Sequence, residues 1–304
     1  MNMGKRLLAC LTVLALLAAA GLVQAEGTEN DAEDLFVLTD PAAMEDMDRF
    51  GWDARVERNG EGAVISVNGY PVRTVRAAMN IRNTEEAYEF DIDFVDYPFY
   101  QSAAQYDGNL AVMSLAMAMS ANRALNMTEE PEEDFDPALH VEQFLLDAGF
   151  QDIRKDDYSK ETSMYTVSTA MGHRLMTEDT EEPFTLIAIG VCGAYYKNEW
   201  QSNMTPGDGE VHEGFQAAAG LVMDRLAGYI MTEGIQGRIK IWISGFSRAA
   251  AVSNLTAGAL VAEGAFPKED VYAYTFATPA ALRNPPESGF ENIFNIISPM
   301  DLVP

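Results

Sequence analysis

Apolar positions change their spacing along the chain, and each spacing predicts a different element. Tyr88, Phe90, Ile92 and Phe94 alternate with Glu89, Asp91 and Asp93, the period of a half-buried strand, and the whole stretch from Ala63 to Tyr100 reads as strands. Leu110 to Met127 is rich in Ala, Leu and Met; Leu110, Met113 and Met117 fall on one helical face, where the methionines serve packing and not a metal or cofactor. A second helix is predicted over His140 to Ala148. From Phe184 to Val191 the run is almost continuously apolar, as in a strand covered on both faces. A helix over Phe215–Met231, a strand over Arg238–Ser244, a helix over Ala249–Ala262, and strands over Val271–Phe276 and Asn292–Ile297 follow. Strands alternating with helices predict an α/β fold with a mostly parallel central sheet flanked by helices, and a β-rich region before it.

The ends of the chain and its polar stretches set the organisation. Lys5 and Arg6 precede an apolar run from Leu7 to Val23, and Val23-Gln24-Ala25 forms a small-residue cleavage site before Glu26. That layout makes residues 1–25 a secretory signal peptide and the protein an exported, secreted one. An uncleaved membrane anchor is the rival reading, because the run approaches spanning length, but the cleavage site and the polar stretch after it favour removal. Cys10 imitates a lipoprotein acylation box but sits too close to Arg6 to be one. Residues 26–105 form an acidic arm and β-rich N-terminal region, and residues 106–304 the α/β domain. The acidic run Glu129 to Asp136, broken by Pro131, is a loop without the ligand spacing or turn glycine of a calcium site. Glu178 to Glu182 is another loop. Glu89, Asp91 and Asp93 share one strand face; a glycosidase pair needs two such carboxylates, but a solvated face accounts for them.

Charge narrows the partners. The 304 residues carry 47 acidic against 20 basic side chains, a net charge of −27, which becomes −29 once Lys5 and Arg6 are removed. Nucleic acid is excluded, since phosphate contacts need clustered Lys and Arg, and any transient lipid-interface contact must use apolar surface. The mature chain retains only Cys192, so no intramolecular disulfide forms. Neither a metal nor an organic cofactor is indicated, and the oligomeric state cannot be read. The sequons at Asn126, Asn203 and Asn254 are explained by chance.

The informative stretch runs Ile239-Lys240-Ile241-Trp242-Ile243-Ser244-Gly245-Phe246-Ser247-Arg248-Ala249-Ala250-Ala251. It has the form strand, Gly-x-Ser-x-Ala, helix. A serine nucleophile at a strand end must sit on a sharp turn, and small residues two before and two after it let that turn close. Gly245 and Ala249 hold those places. The amide of Arg248, at the helix N-terminus, would face the carbonyl oxygen under attack. A hydrolase of this architecture then needs an acid and a histidine in the order Ser, Asp, His; Asp301 stands just beyond the last apolar strand, where it would orient the histidine.

Gly245 to Ala250, then Tyr272-Ala273-Tyr274-Thr275-Phe276-Ala277-Thr278-Pro279, then Asn295 to Pro304, resemble the class 3 (fungal-type) lipase family. Upstream, Val211-His212-Glu213-Gly214-Phe215 resembles the family's Val-His-x-Gly-Phe segment. The likeness covers roughly residues 184–304 and implies an α/β-hydrolase fold, a lipid or ester substrate, Ser247 as nucleophile, Asp301 as triad acid and Arg248 as the first oxyanion-hole donor. In the family a second donor comes from an Arg-Gly-Thr/Ser segment; Val191-Cys192-Gly193-Ala194 stands there instead, so the hydroxyl is missing and the amide of Ala194 would have to serve. Cys192 reads as a buried strand-end residue, with no basic partner near it in sequence.

His140, His173 and His212 all precede Ser247, whereas the triad order needs a histidine after Asp301. His212 belongs to the Val-His-x-Gly-Phe segment, and His140 and His173 lie on helix-like stretches; each reads as a satisfied structural histidine. Two explanations remain: a truncated hydrolase domain whose C-terminal segment is missing, or a hydrolase-like exported binding protein without catalysis. Truncation is expected, because ending at Asp301-Leu302-Val303-Pro304 leaves the sheet edge uncovered and Ser247 with Asp301 would be odd survivors in a mere binder.

Overall fold

The computed structural model describes residues 55–80, 87–122, 136, 138–156, 165, 167–178, 182–193, 201–298 and 300. The expected signal peptide and acidic arm, most of the Glu129–Asp136 loop, Ala194 and Asp301 lie outside the described residues.

Four antiparallel strands come first, in the order β1 (Val56–Arg58), β2 (Val64–Val67), β3 (Tyr70–Asn80) and β4 (Ala87–Val95). Asn68 and Gly69 both take positive φ, 53° and 85°, which suits the two-residue turn joining β2 to β3. The alternation in β4 holds: Ile92 and Phe94 are buried while Glu89 and Asp91 are exposed. Across the ladder Arg76 stands 3.5 Å from Glu89 and 3.4 Å from Asp91, each side chain more than half exposed, so this carboxylate face is a solvated one carrying cross-strand ion pairs. The strand texture stops short of Tyr100, because Pro98 has no N–H for a ladder and Tyr97–Tyr100 coil into a 3-10 turn.

Helix α1 (Gly108–Ala121) is capped by Asp107, whose carboxylate accepts from the Leu110 amide at 2.7 Å, and α2 (Leu139–Asp147) follows. The central sheet then builds in the order β10-β9-β8-β7-β6-β5, with β5 (Gln151–Asp156), β6 (Val167–Met176), β7 (Phe184–Gly193), β8 (Arg238–Phe246), β9 (Val271–Phe276) and β10 (Ile293–Ile296). Pairing is parallel from β7 to β10 and antiparallel from β5 to β7. β5 and β6 were not foreseen, and the helix-like reading of His173 is corrected: it lies in β6. Ser168, Thr169, Ala170 and Gly172 mask that strand, which has no apolar alternation because both its faces are covered.

Helix α3 (Glu213–Thr232) crosses from β7 to β8 and α4 (Arg248–Ala262) from β8 to β9. Both lie on one face, packed on Ile187, Ile189, Ile241, Ile243 and Ala273. The alternate residues, among them Leu186, Ala188, Trp242, Tyr272 and Tyr274, face the other side, toward α1, α2 and the inner face of β3–β4. Helix α1 is therefore apolar nearly all round, wider than the single stripe the Leu and Met spacing suggested, since it lies between two sheets. Its Ser114 accepts from the Trp242 indole at 2.8 Å, and its Ser120 accepts from the Ala78 amide at 3.1 Å.

At the foot of the sheet, Lys240 is buried and donates to the Phe99 carbonyl at 2.7 Å, with the Tyr272 hydroxyl at 2.9 Å and Asp270 at 3.7 Å. Burial pulls its pKa down to about 8 despite Asp270. Asp270 is also held by Arg238 at 2.8 Å. This knot fastens the 97–103 segment to β8 and β9. Parallel strands joined by crossover helices, with helices on both faces, make the architecture an α/β-hydrolase fold, with the four-stranded sheet laid over one side.

Candidate active site

The four parallel strands end at one rim. β7 leaves it at Gly193, level with Ser247 through the Val191–Gly245 register, and β10 reaches the same level at Ile297 through Ile296, Phe276 and Phe246. Chain exits toward Ala194 and Asp301 thus flank the serine at about 5 and about 10 Å, one and two strand spacings away. Ala194 and Asp301 themselves fall outside the described residues.

Ser247 sits between β8 and α4 at φ 56° and ψ −125°, a backbone region that L-residues rarely occupy. Its amide donates to the Phe276 carbonyl at 2.9 Å, and its own carbonyl accepts from Ala250, so the turn is held from both sides. The residue is exposed and its side chain does not cap the helix, which leaves the hydroxyl projecting at the rim. Gly245 explains the motif: a β-carbon there would lie 2.6 Å from the Ala249 carbonyl oxygen and 2.9 Å from the Ser253 hydroxyl. Ala249 is fully buried at the same crossing. The amide of Arg248 is the first of α4, at the positive end of the helix dipole.

The Arg248 side chain does something the motif does not reveal. It is 4% exposed, and its guanidinium donates to the Ser202 hydroxyl at 3.0 and 3.2 Å and reaches the Tyr165 carbonyl at 3.4 Å. Ser202 is also why Gly214 must be glycine, since a β-carbon there would stand 2.1 Å from the Ser202 carbonyl oxygen. His212 caps α3: its Nδ1 accepts from the Phe215 amide at 3.4 Å, its Nε2 donates to the Asn203 carbonyl at 3.2 Å, and its ring stacks on Phe215. The Val-His-x-Gly-Phe segment is thus a clamp between the 201–204 segment and the start of α3.

His173 lies level with Ile187 and Ile241, six residues and about 20 Å along the strands from Ser247, bonded to the Tyr229 hydroxyl at 2.9 Å and Gln151 at 3.2 Å. His140 departs from the satisfied state expected of it: its Nε2 is buried without a hydrogen-bond partner, and burial lowers its pKa. Cys192 is a buried thiol at the end of β7, 2.8 Å from the Gly193 carbonyl.

One polar group at the rim escaped the sequence reading. Thr275, fully buried on β9, has its hydroxyl 2.8 Å from Asn295 Oδ1 on β10 and 3.0 Å from Asn254 Oδ1 on α4. Asn254 Nδ2 also donates to Asn295 Oδ1, and the Thr278 hydroxyl lies 3.1 Å from that of Thr275. Polar residues inside the apolar strands Val271–Phe276 and Asn292–Ile297 were the available signal.

Among the described residues no helix is long and apolar enough to cross a membrane. A sequence model of the family described as Lipase (class 3) matches residues 191–304. Among solved structures, a fungal lipase in an inhibitor complex is 19% identical at a TM-score of 0.33, over 47% of this chain and 52% of that one. Rhizomucor miehei lipase, a deletion mutant in a propeptide complex, is 16% identical at 0.37 over 84% and 68%, and the lipase of Rhizopus microsporus var. chinensis 18% identical at 0.30 over 46% and 49%. The chain spans about half the length of the first of these lipases. No curated protein sequence matches. Over residues 191–304, which contain the elbow, the chain is thus similar to the class 3 lipase family.

Proposed function

We propose that this protein is a secreted serine hydrolase that cleaves carboxylic esters of lipids through an acyl-enzyme at Ser247. The observation that carries the reading is the strained, exposed Ser247 at a rim where a helix begins, inside the segment matched to class 3 lipases. The serine oxygen attacks the ester carbonyl, and the developing oxyanion is held by the amides of Arg248 and Ala194. Asp301, five residues after β10 in the sequence, is the acid we assign to orient the histidine that takes the serine proton. His212 and His173 have both ring nitrogens engaged in other contacts, and His140 belongs to α2, so none of the three is assigned that task. Export follows from the leader-like residues 1–25, and contact with a lipid interface from apolar surface near the rim, where Met204, Ile297 and Met300 are exposed.

A fluorophosphonate probe tests the serine, applied with and without added imidazole as a diffusible base. Labelling of one site, accelerated by imidazole and abolished in Ser247→Ala, is the expected result. Labelling that persists in Ser247→Ala, or none under either condition, would leave the hydrolase-like binding protein as the reading. Profiling p-nitrophenyl esters of increasing chain length then separates lipid esters from short ones.

A further inference from the structure

We infer that the side of α1 turned to the rim is the acyl-chain site of this hydrolase, and that Leu115 sets a preference for long chains. The inference rests on the serine-hydrolase reading and deepens it. Contacts along α1 fix its path over the sheet. The Asp107 amide, just before the helix, donates to the Tyr274 hydroxyl on β9 at 2.8 Å, and the Ser114 carbonyl accepts from the Ser244 hydroxyl on β8 at 2.8 Å. At its far end Ala121 lies against Gly190 on β7, where an added β-carbon would stand 3.3 Å from that of Ala121. Gly190, Ser244 and Tyr274 are register partners, so α1 lies along one row of the sheet. The next row toward the rim on the same face is Phe246, Phe276 and Ile296, again register partners, and Ser247 directly follows Phe246.

Toward the foot, α1 meets the Trp242 indole through Ser114, and the two sheets close its flanks. Val112, Leu115 and Met119 share the remaining face and are only half-buried. Phe246 and Ile296 above them are half-buried as well. α1 carries no charged residue in a chain of net charge −27, although a helix face that met only water would be polar. The two rows thus form an apolar ledge that begins beside the serine. With no formal charge on either row, it suits a neutral hydrocarbon chain and not a phosphorylated headgroup. From Phe246 to Ile296 the ledge runs about 10 Å, two strand spacings, so a short acyl group on Ser247 covers little of it and a long one covers it all. Leu115 directly follows the Ser114 contact with β8, which places it closest to the strand that leads to the serine.

The test compares second-order labelling rates for an ethyl and a decyl alkylfluorophosphonate, with imidazole present. In the parent protein the decyl probe should react about tenfold faster or better. Leu115→Trp, which fills the ledge, should cut the decyl-to-ethyl ratio about tenfold, and Leu115→Asn, which removes apolar surface without adding bulk, about threefold. Met231→Trp, at the exposed far end of α3, is the control and should leave the ratio as it was. A variant that only folds less well loses both rates together, so the ratio isolates the chain. A ratio near one in the parent protein, or one that Leu115→Trp does not change, would overturn the site. Should neither probe label the parent protein, the serine-hydrolase reading fails first. Decanol added to Ser247→Ala then decides whether the ledge holds a chain: methyl resonances of Val112, Leu115 and Met119 should shift, and those of Val112 and Met119 should shift less once Leu115→Trp is added. Unmoved resonances would overturn the ledge as well.

Discussion

Gly245 lies against the carbonyl of Ala249, with no room between the strand it ends and the helix that the next turn begins. The contact is backbone to backbone, so it cannot be relieved by a rotamer change.

Gly245→Ala is therefore expected to destabilise the protein by about 3 kcal/mol, the upper range for overpacking, and to move Ser247 off its turn. Urea denaturation should show the lower midpoint. Ala249→Gly, which adds no atoms at the same crossing, should keep the fold and lose about 1 kcal/mol from helix propensity.

His212→Ala removes the cap of α3 and the ring stacked on Phe215, and should cost about 1 kcal/mol or somewhat more. His212→Asn keeps a capping acceptor and should recover part of it. Thermal unfolding separates the two, and fluorophosphonate labelling of Ser247 in both variants should stay within a few-fold of the parent protein. Loss of labelling by two orders of magnitude in His212→Asn would mean that the ring does more than cap.

What could be read in advance depended on how much a position's burial constrains its residue type. β7, β8 and β9 lie in the centre of the sheet, so both faces demand apolar side chains and Phe184 to Val191 announces itself. β6 is equally buried but filled with Ser168, Thr169, Ala170 and Gly172, which fit against β5, β7 and α3 through size and not hydropathy. The elbow was legible because steric closure leaves only small residues at Gly245 and Ala249. The hydrogen bonds among Thr275, Asn254 and Asn295 were not: the three are far apart in sequence, and each is an ordinary residue until folding brings them together. Arg248 shows both cases in one residue, its amide predictable from the motif and its buried guanidinium not.

Arg248→Met keeps the elbow amide and much of the buried volume but withdraws the donors to Ser202 and Tyr165. A loss of about 2 kcal/mol is expected, typical of hydrogen bonds from a charged group. Limited proteolysis should show faster cutting near residues 201–205 than in the parent protein. Equal cutting rates would mean that the guanidinium does not hold that segment.

Lys240 predicts an unusual pH dependence. Its folded pKa is about 8 and its ordinary value 10.5, so between them the unfolded chain binds the extra proton and stability rises with pH. The gain from pH 8 to pH 10 should be about 2 kcal/mol relative to Lys240→Met. Above pH 10 the sign reverses, because burial holds Tyr272 and Tyr274 protonated in the fold while the unfolded chain ionises them. Urea midpoints measured from pH 7 to pH 11 for both proteins should diverge to pH 10; parallel curves would remove Lys240 from the account.

Trp242 has a further implication for where this protein may be cut. Its ring meets Phe94, Phe99, Phe144 and Phe150, four side chains that all precede residue 191, where the segment similar to class 3 lipases begins. Sequence likeness and cooperativity therefore draw different borders. A fragment beginning at residue 191 would keep the serine and its elbow yet leave the indole, Leu186's former neighbours and one entire face of the sheet facing water, so it should be recovered as aggregate, while the chain from residue 55 melts in a single step.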